Sequence, residues 1–530
     1  MSRFRRWLSD ESLTQKASLN AFAAVLDYVS RLVVGFVLTP FLVRGLGDSG
    51  YGLWQVLDRI MTYLSPATGR AGQALKWTIA RHQSSTDHEE KRRQVGSALM
   101  VWVLFLPLVL VIGAGLVWVA PTWLKIPPTL AWDARAATLV LVVNSLVFSL
   151  GDVPRSVLQG ENLGYKRMGL TTALVFVSAG LMALALYLRA GIVGVTLADM
   201  TGTALTGLLL FQVARTNVPW FGIARPAPGA VRRFVGLSWW FLAWNLVMRL
   251  TRATDVVVLG MFGSAAMVTT YTLTRYAPET VVFLVATVAQ GITPGLGGII
   301  GSGDKPRAVR LRGEIMMFTW LLATSLGATI LLWNRSLVQL WVGPRHYLGA
   351  VPNLLLMAMV AQFTLIRNDA NIIDLTLDLR RKVLVGFLSA TLCAVAAAYA
   401  VGVLGLGAVG LCVSFIAGRL ILSLGYPMLV GRFLGVSLGQ QLRASLRPGA
   451  VTALLFGLSS IGSCTLAVGS WWALAPCAAL TLPVAALVAL GLGLTPQQRQ
   501  QLLKRLRRAL RGRSKAAGVG DSDEANSIEG

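Results

Sequence analysis

Long apolar segments alternate with short basic gaps along almost the whole chain, and this pattern restricts the fold more than any other feature. The apolar segments recur about fourteen times in 530 residues, and an α-helix needs about 20 mostly apolar residues to cross a bilayer. Lys and Arg are concentrated in every second gap, which is typical of loops kept on the cytoplasmic side. The chain is therefore predicted to be an all-α, multi-pass protein of a bacterial inner (plasma) membrane, with about 14 transmembrane helices and both termini in the cytoplasm.

Composition supports a membrane protein and argues against a soluble domain and against a nucleic-acid-binding protein. Mean hydropathy is +0.64, 55% of the residues are hydrophobic and 13% are charged, a balance outside the range of soluble domains. The net charge of +25 comes mainly from basic residues at the ends of the apolar segments, where they set orientation and attract anionic headgroups. Membrane lipids are therefore expected partners, and nucleic acid is not.

The spacing of the segments leaves no room for a soluble catalytic domain. Every gap is short, the four cysteines lie in apolar segments without metal-ligand spacing, and the three histidines are scattered. The sequence thus predicts a protein that is not an enzyme and that uses neither a metal nor a cofactor.

A proline-rich basic stretch separates the first twelve segments into two sets of six. An even number gives both sets the same orientation, so a duplication would place its twofold axis along the membrane normal. The predicted divisions are a cytoplasmic N-terminal segment (1–16), an N-terminal six-helix bundle (17–214), a cytoplasmic linker (215–233), a C-terminal six-helix bundle (234–430), a cytoplasmic loop (431–448), an additional helix pair (449–494), and a basic surface helix with a disordered tail (495–530).

Basic residues inside the apolar segments are the candidates for function. There are nine, and each costs about 2.5–3.5 kcal/mol if it faces lipid at the centre of a helix. Arg70, Lys76 and Arg419 lie near segment ends and are predicted to extend to the membrane surface. The other six are the candidate substrate-binding residues of a cavity: Arg31, Arg59, Arg249, Arg252, Arg275 and Arg367.

Acidic residues accompany these arginines, several of them at helical spacing. The candidates for charge pairing or ion coupling are Asp27 (with Arg31), Asp58, Asp255 (with Arg252), Glu279 (with Arg275), Asp369 and Asp374. Two interpretations remain open. The pairs lock helices together, or they line a hydrated cavity between the two bundles whose surplus positive charge attracts an anionic ligand. In that cavity the acids would neutralise arginines in the empty state or bind a driving proton or sodium ion.

One short motif adds a resemblance to a known family. Residues 45–54 read Gly-Leu-Gly-Asp-Ser-Gly-Tyr-Gly-Leu-Trp, and the Leu-Gly-x-x-x-Tyr-Gly element follows the first predicted helix. With the six-plus-six organisation and the basic interior, the chain over 17–494 resembles a bacterial polysaccharide (O-antigen or exopolysaccharide repeat-unit) flippase. That family is part of the multidrug/oligosaccharidyl-lipid/polysaccharide exporter superfamily.

The resemblance implies a substrate, partners and a mechanism. The substrate would be polyprenyl-pyrophosphate-linked glycan, moved across the inner membrane by alternating access through a cationic central cavity. Polysaccharide assembly proteins would be further partners. The relative that flips the peptidoglycan precursor has cavity arginines on its first, second and eighth helices, which here carry Arg31, Arg59 and Arg275.

Two other functions fit a polytopic chain of this kind. A drug/cation antiporter of the same superfamily would be expected to have surplus acidic and aromatic residues in its cavity, whereas this chain has surplus arginine. A polysaccharide polymerase or ligase would be expected to have a large periplasmic loop with catalytic groups, and the predicted outer gaps are short.

Overall fold

Fifteen α-helices and no strand occur in the part of the chain that the computed structural model describes, namely 13–67, 71–81, 85–124, 126–167, 169–226, 229–301, 304–376 and 379–500. The predicted all-α class is confirmed. The helices are α1 (Leu13–Ala67), α2 (Ala71–Arg81), α3 (His88–Trp123), α4 (Ala131–Gly160), α5 (Leu170–Tyr187), α6 (Gly191–Asn217), α7 (Ala230–Phe262), α8 (Ala265–Gly301), α9 (Lys305–Val342), α10 (Ala350–Thr376), α11 (Leu379–Gly402), α12 (Gly407–Gly418), α13 (Leu420–Leu434), α14 (Leu438–Thr465) and α15 (Trp471–Val488).

The helices account for the apolar segments seen in the sequence. Eleven stretches of the described residues are long and apolar enough to cross a membrane. The first, Val25–Leu64, contains a break at Gly47, so it holds two predicted segments. Helices α7 and α8 hold two more. The protein is therefore a multi-pass membrane protein, and within the described residues each predicted segment overlaps one or more helices.

The chain folds into two compact units. Unit 1 comprises residues 1–275 with 341–348 and 377–422, and unit 2 comprises the rest. The duplication into bundles 17–214 and 234–430 stays a prediction. The predicted tail falls largely on 501–530, outside the described residues, as do most of the predicted N-terminal segment and Arg70.

In unit 1, α2, α3, α4 and α6 share one core with the start of the linker. Trp220, 4% exposed, packs among the valines and leucines of these helices. Its indole nitrogen donates to Glu161 (3.0 Å), and Glu161 also pairs with the buried Lys91 (3.0 Å). The backbone carbonyl of Trp220 accepts from Arg92 Nε (2.8 Å). The first residues of the linker are therefore fixed to the ends of α3 and α4.

In unit 2, the additional helix pair packs on α9. Trp320 of α9 lies in a core with Val451 of α14 and Leu494, which follows α15. Its indole nitrogen donates to Thr452 Oγ1 at 2.8 Å. The polar end of a buried indole usually finds such a partner, and here the partner fixes α14 to α9.

The motif at 45–54 is explained by a kink and a close approach of backbones. Gly47 has φ 69°, a region that side chains rarely adopt, and it divides α1. The Asp48 carboxylate hydrogen-bonds His346 Nε2 (2.9 Å). The backbone carbonyl of Asp48 accepts from Thr269 Oγ1 of α8 (2.6 Å). A Cβ on Gly52 would lie 1.8 Å from the carbonyl oxygen of Ala265. The motif therefore holds the kinked α1 against the start of α8.

Gly52→Ala is expected to destabilise the protein by about 3 kcal/mol or more, because its methyl group overlaps a backbone carbonyl that cannot rotate away. Gly180→Ala in α5 is the matched control, since nothing lies within 4 Å of its Cβ position. Thermal unfolding in detergent, followed by size-exclusion fluorescence, measures both. Equal melting temperatures for the two variants would contradict the packing role given to Gly52.

Candidate functional site

Unit 1 brings together four predicted site residues from α1 and α7. Arg249 lies within electrostatic range of Arg252, Arg59 and Asp58. Asp58 and Arg252 are exposed, and Arg59 and Arg249 are half-buried. Three guanidinium groups and one carboxylate thus lie close together. We call these four residues the central cluster.

The central cluster favours water over lipid on its open side. Charges on a membrane-spanning helix cost about 2.5–3.5 kcal/mol each when they face hydrocarbon, and this group holds three positive charges and one negative. Tyr63, one turn beyond Arg59, shares a hydrogen bond of 2.9 Å with Thr254 of α7. That contact fixes the two helices beside the cluster, so its geometry is set by the fold.

A second group joins α7 to α8 and is closed. Asp255 is 1% exposed, accepts from Tyr271 Oη at 2.9 Å, and forms an ion pair with Arg275. The sequence places Asp255 three residues after Arg252, and the structure adds partners for it on the next helix. The Asp255 carboxylate thus links α7 to α8 through a hydrogen bond and an ion pair.

Arg419 belongs to this closed group, and its predicted extension to the membrane surface is wrong. The side chain is 4% exposed and donates to the carbonyl of Thr251 at 2.8 Å. Its guanidinium lies 5.1 Å from the ring of Phe415 and within electrostatic range of Asp255. Arg419 stands at the break between α12 and α13, and this break directs it toward α7. Nearness to a segment end therefore misled the prediction.

Asp27 and Arg31, on the first part of α1, have different surroundings. The Asp27 carboxylate faces Arg167 (3.5 Å) and accepts from the hydroxyls of Thr171 (3.0 Å) and Thr172 (3.3 Å). Arg31 is exposed. The sequence paired these two residues by helical spacing, whereas the observed partners of Asp27 come from the connection between α4 and α5 and the start of α5.

Unit 2 contains the remaining four candidates, and one of them has a complete set of partners. Asp369, 1% exposed, accepts two hydrogen bonds from Arg312, to Nε at 2.8 Å and to the terminal nitrogen at 3.0 Å. Arg312 also donates to Gln441 (2.8 Å). Such a bidentate pair is among the stronger and more directional ion pairs in proteins. The other candidates are half-buried: Glu279, Arg367 and Asp374.

Sequence reasoning missed several charged residues near these groups. Asp199 accepts from Asn144 at 2.8 Å and lies within electrostatic range of Asp58 and Arg31. An acid in the middle of the sixth apolar segment was a visible signal. Arg155 and Arg167 gave a weaker one, because both fall at or beyond a segment end. The described residues include no group of three His, Cys, Asp or Glu side chains placed to hold a metal.

Comparison with known protein families gives one match. The model of a family described as polysaccharide biosynthesis protein matches residues 19–294, just over half of the chain. The matched range includes every member of the central cluster. No curated protein matches the chain at a significant level.

Solved structures match the fold at low sequence identity. The lipid II flippase MurJ, in an inward closed conformation, is 12% identical with a TM-score of 0.64, covering 88% of this chain and 98% of its own. An inward-facing multidrug resistance MATE family transporter of the MOP superfamily is 13% identical with a TM-score of 0.59, covering 78% and 99%. A MOP superfamily transporter from Pyrococcus furiosus, described as having a binding pocket of reverse polarity, is 14% identical with a TM-score of 0.53, covering 80% and 97%.

Proposed function

The chain belongs to the family of polysaccharide biosynthesis proteins, and from that membership we propose that it translocates polyprenyl-pyrophosphate-linked oligosaccharide across the bacterial inner membrane. The observation that carries the proposal is the central cluster, with three arginines to one acid on membrane-spanning helices. A site of this charge attracts an anion and repels a cation. The pyrophosphate of a lipid-linked sugar is an anion of suitable charge and position, because it lies at the membrane surface.

Arginine is the appropriate residue for such a headgroup. Its planar guanidinium donates to two oxygens of a phosphate at once, which a lysine cannot do. Arg59 Nε is buried and meets no acceptor among the described residues, in contrast to Arg312, whose three hydrogen bonds to Asp369 and Gln441 are 2.8 to 3.0 Å long. Arg59 as a whole is half-buried and lies beside the exposed Asp58, so a headgroup that enters the central cluster can reach its guanidinium. Arg312 is already occupied.

The proposed mechanism is alternating access. The headgroup binds the arginines of a cationic cavity from the cytoplasmic side while the polyprenyl chain stays in the lipid. A rearrangement of helices then opens the cavity to the periplasm. Asp58 lies beside Arg59 and Arg249 and offsets part of their charge when no headgroup is present, so that the empty cavity can return.

A drug/cation antiporter is the second candidate, since MATE transporters share this fold. The charge of the central cluster disfavours a cationic substrate. The Pyrococcus furiosus transporter is described as having a pocket of reverse polarity, which indicates that pocket charge varies within the fold. We therefore assign substrate class from this chain's own arginines.

Transport by the reconstituted protein distinguishes the flippase from the antiporter. Proteoliposomes loaded with a fluorescent lipid-linked oligosaccharide should expose the inner-leaflet label to an external quencher far faster than protein-free vesicles. Ethidium, a cationic dye, should not move under a pH gradient. Transport of ethidium without movement of the lipid-linked sugar would overturn the flippase and support the antiporter.

Orientation is tested by reporter fusions. Loops 81–93 and 215–233 are expected in the cytoplasm because they carry the basic bias. Fusions at Ser85 and Gly222 should be active only with a cytoplasmic reporter, and a fusion at Thr129 only with a periplasmic one. A periplasmic signal at Ser85 or Gly222 would reverse the proposed topology.

A further inference from the structure

A second group of arginines lies in unit 1, apart from the central cluster. Arg155, near the end of α4, is within electrostatic range of Asp152, Arg167, Arg31 and Asp27. Arg167 ends the short 3-10 turn Gly164–Arg167 that follows α4. Three cations and two anions converge here. We call this group the Arg155 cluster.

The arginines of this cluster are poorly satisfied by their carboxylates. The Arg167–Asp27 and Arg155–Asp152 distances are 3.5 Å and 3.9 Å, longer than the 2.7–3.2 Å range of ordinary hydrogen bonds. The Nε atoms of both arginines are buried and meet no acceptor among the described residues. A buried donor without an acceptor is costly, and a guanidinium has five donors. One donor on each of Arg155 and Arg167 is therefore without an acceptor oxygen among the described residues.

Asp27 cannot supply them, because its carboxylate is shared. One oxygen accepts from the hydroxyls of Thr171 and Thr172, and only the other faces Arg167. The Arg312–Asp369 pair in unit 2 shows what a satisfied ion pair looks like in this protein, with hydrogen bonds of 2.8 and 3.0 Å. The ion-pair distances in the Arg155 cluster are longer than these, which favours the binding of a ligand rich in anionic oxygens.

We propose that Arg155, Arg167 and Arg31 form a binding site for the phosphate of a membrane lipid. The three side chains are 22%, 16% and more than a third exposed, so a headgroup can reach them. Under the proposed topology the connection between α4 and α5 faces the cytoplasm, where lipid phosphates lie. The guanidinium fork matches phosphate in geometry, and a phosphate group has more oxygens than a carboxylate to accept from several arginines.

Arg31 connects this site to the central cluster. It lies within electrostatic range of Arg155 and also of Asp199, which in turn is within range of Asp58. If the proposed function holds, on which this step rests, the Arg155 cluster is where the pyrophosphate of the substrate binds first. Arg31 is then the residue that passes the pyrophosphate onward to Arg59 and Arg249.

Binding measurements on the full-length protein in nanodiscs of neutral phosphatidylcholine test the site. The first probe is undecaprenyl pyrophosphate, and the second is phosphatidylglycerol added to the same nanodiscs. The variant R155Q/R167Q should bind the recognised lipid at least about 10-fold more weakly, because it removes charge-assisted hydrogen bonds. R155K/R167K, which keeps the charge, should recover part of the affinity. R215Q/R225Q is the matched control, since it removes two exposed charges from the same unit.

The outcomes separate the site from the proposed function. Loss confined to undecaprenyl pyrophosphate supports a loading site for the substrate. Loss confined to phosphatidylglycerol supports a phosphate site for bulk lipid and overturns the loading role. Equal loss in R155Q/R167Q and R215Q/R225Q, or no loss in R155Q/R167Q at an unchanged melting temperature, overturns the site. If R155Q/R167Q melts at a lower temperature than the wild type, R155K/R167K is measured in its place. Full wild-type affinity of R155K/R167K would show that charge alone is recognised and would overturn the forked geometry.

Discussion

Replacing Arg59 or Arg249 by alanine is expected to reduce export of lipid-linked oligosaccharide by about 10- to 100-fold, because each change removes charge-assisted hydrogen bonds of about 1.5–3 kcal/mol to the headgroup. Folded protein should remain in the membrane, since both side chains are only half-buried. Lysine at either position should restore export only in part, because it keeps the charge and loses the fork. Complementation of a strain lacking the gene, scored as surface polysaccharide, measures the effect.

The control for this experiment is Arg215→Ala, which removes an exposed arginine of the same unit and should leave export unchanged. Asp58→Ala combined with Arg59→Ala separates binding from pairing. If the double variant regains export that Arg59→Ala has lost, Arg59 serves to neutralise Asp58 and the central cluster is structural. Continued loss in the double variant supports a headgroup site.

The helices were predictable because crossing a membrane needs only a run of apolar residues of sufficient length. This requirement acts on consecutive residues, so the sequence shows it directly. The break at Gly47 was not predicted as such, although the gap between the first two segments falls there. Its φ of 69° depends on how α1 meets α8, which is a property of packing.

The partners of the charged residues could not be read from spacing. Helical spacing paired Asp255 with Arg252 and Asp27 with Arg31. The contacts of Asp255 with Arg275 and of Asp27 with Arg167 were not predicted. A pair within one helix requires only the right interval. A pair between helices depends on the rotation and height of each helix in the fold, and an interval along the chain contains neither.

The same limit explains why the six candidate arginines separate in the structure. Arg59, Arg249 and Arg252 form an open cluster, whereas Arg275 lies in a closed network with Asp255 and Tyr271. All six had equal standing in the sequence, because the cost of a charge in an apolar segment is the same for each. The fold decides which arginine is paired with a buried carboxylate, as Arg275 is with Asp255, and which lies in a more exposed group, as Arg252 does.

Arg312→Ala is expected to destabilise the protein strongly, by about 3–5 kcal/mol, because it leaves a buried carboxylate without its partner. Asp369 is 1% exposed and receives two hydrogen bonds from Arg312. The measurements are the yield of folded protein in the membrane and the melting temperature in detergent. Arg310→Ala is the matched control, since Arg310 is exposed on the same helix two residues earlier, and it should behave as the wild type.

A second change distinguishes a structural pair from a site for ion coupling. Asp369→Asn added to Arg312→Ala removes the unpaired charge, so it should recover much of the lost stability and, with it, export. That recovery requires that Asp369 has no separate task in transport. If Arg312→Ala instead melts as Arg310→Ala does and fails only in export, the pair is not holding unit 2 together. Asp369 would then return to the candidates for binding a proton or sodium ion, with Arg312 as the residue that controls its charge.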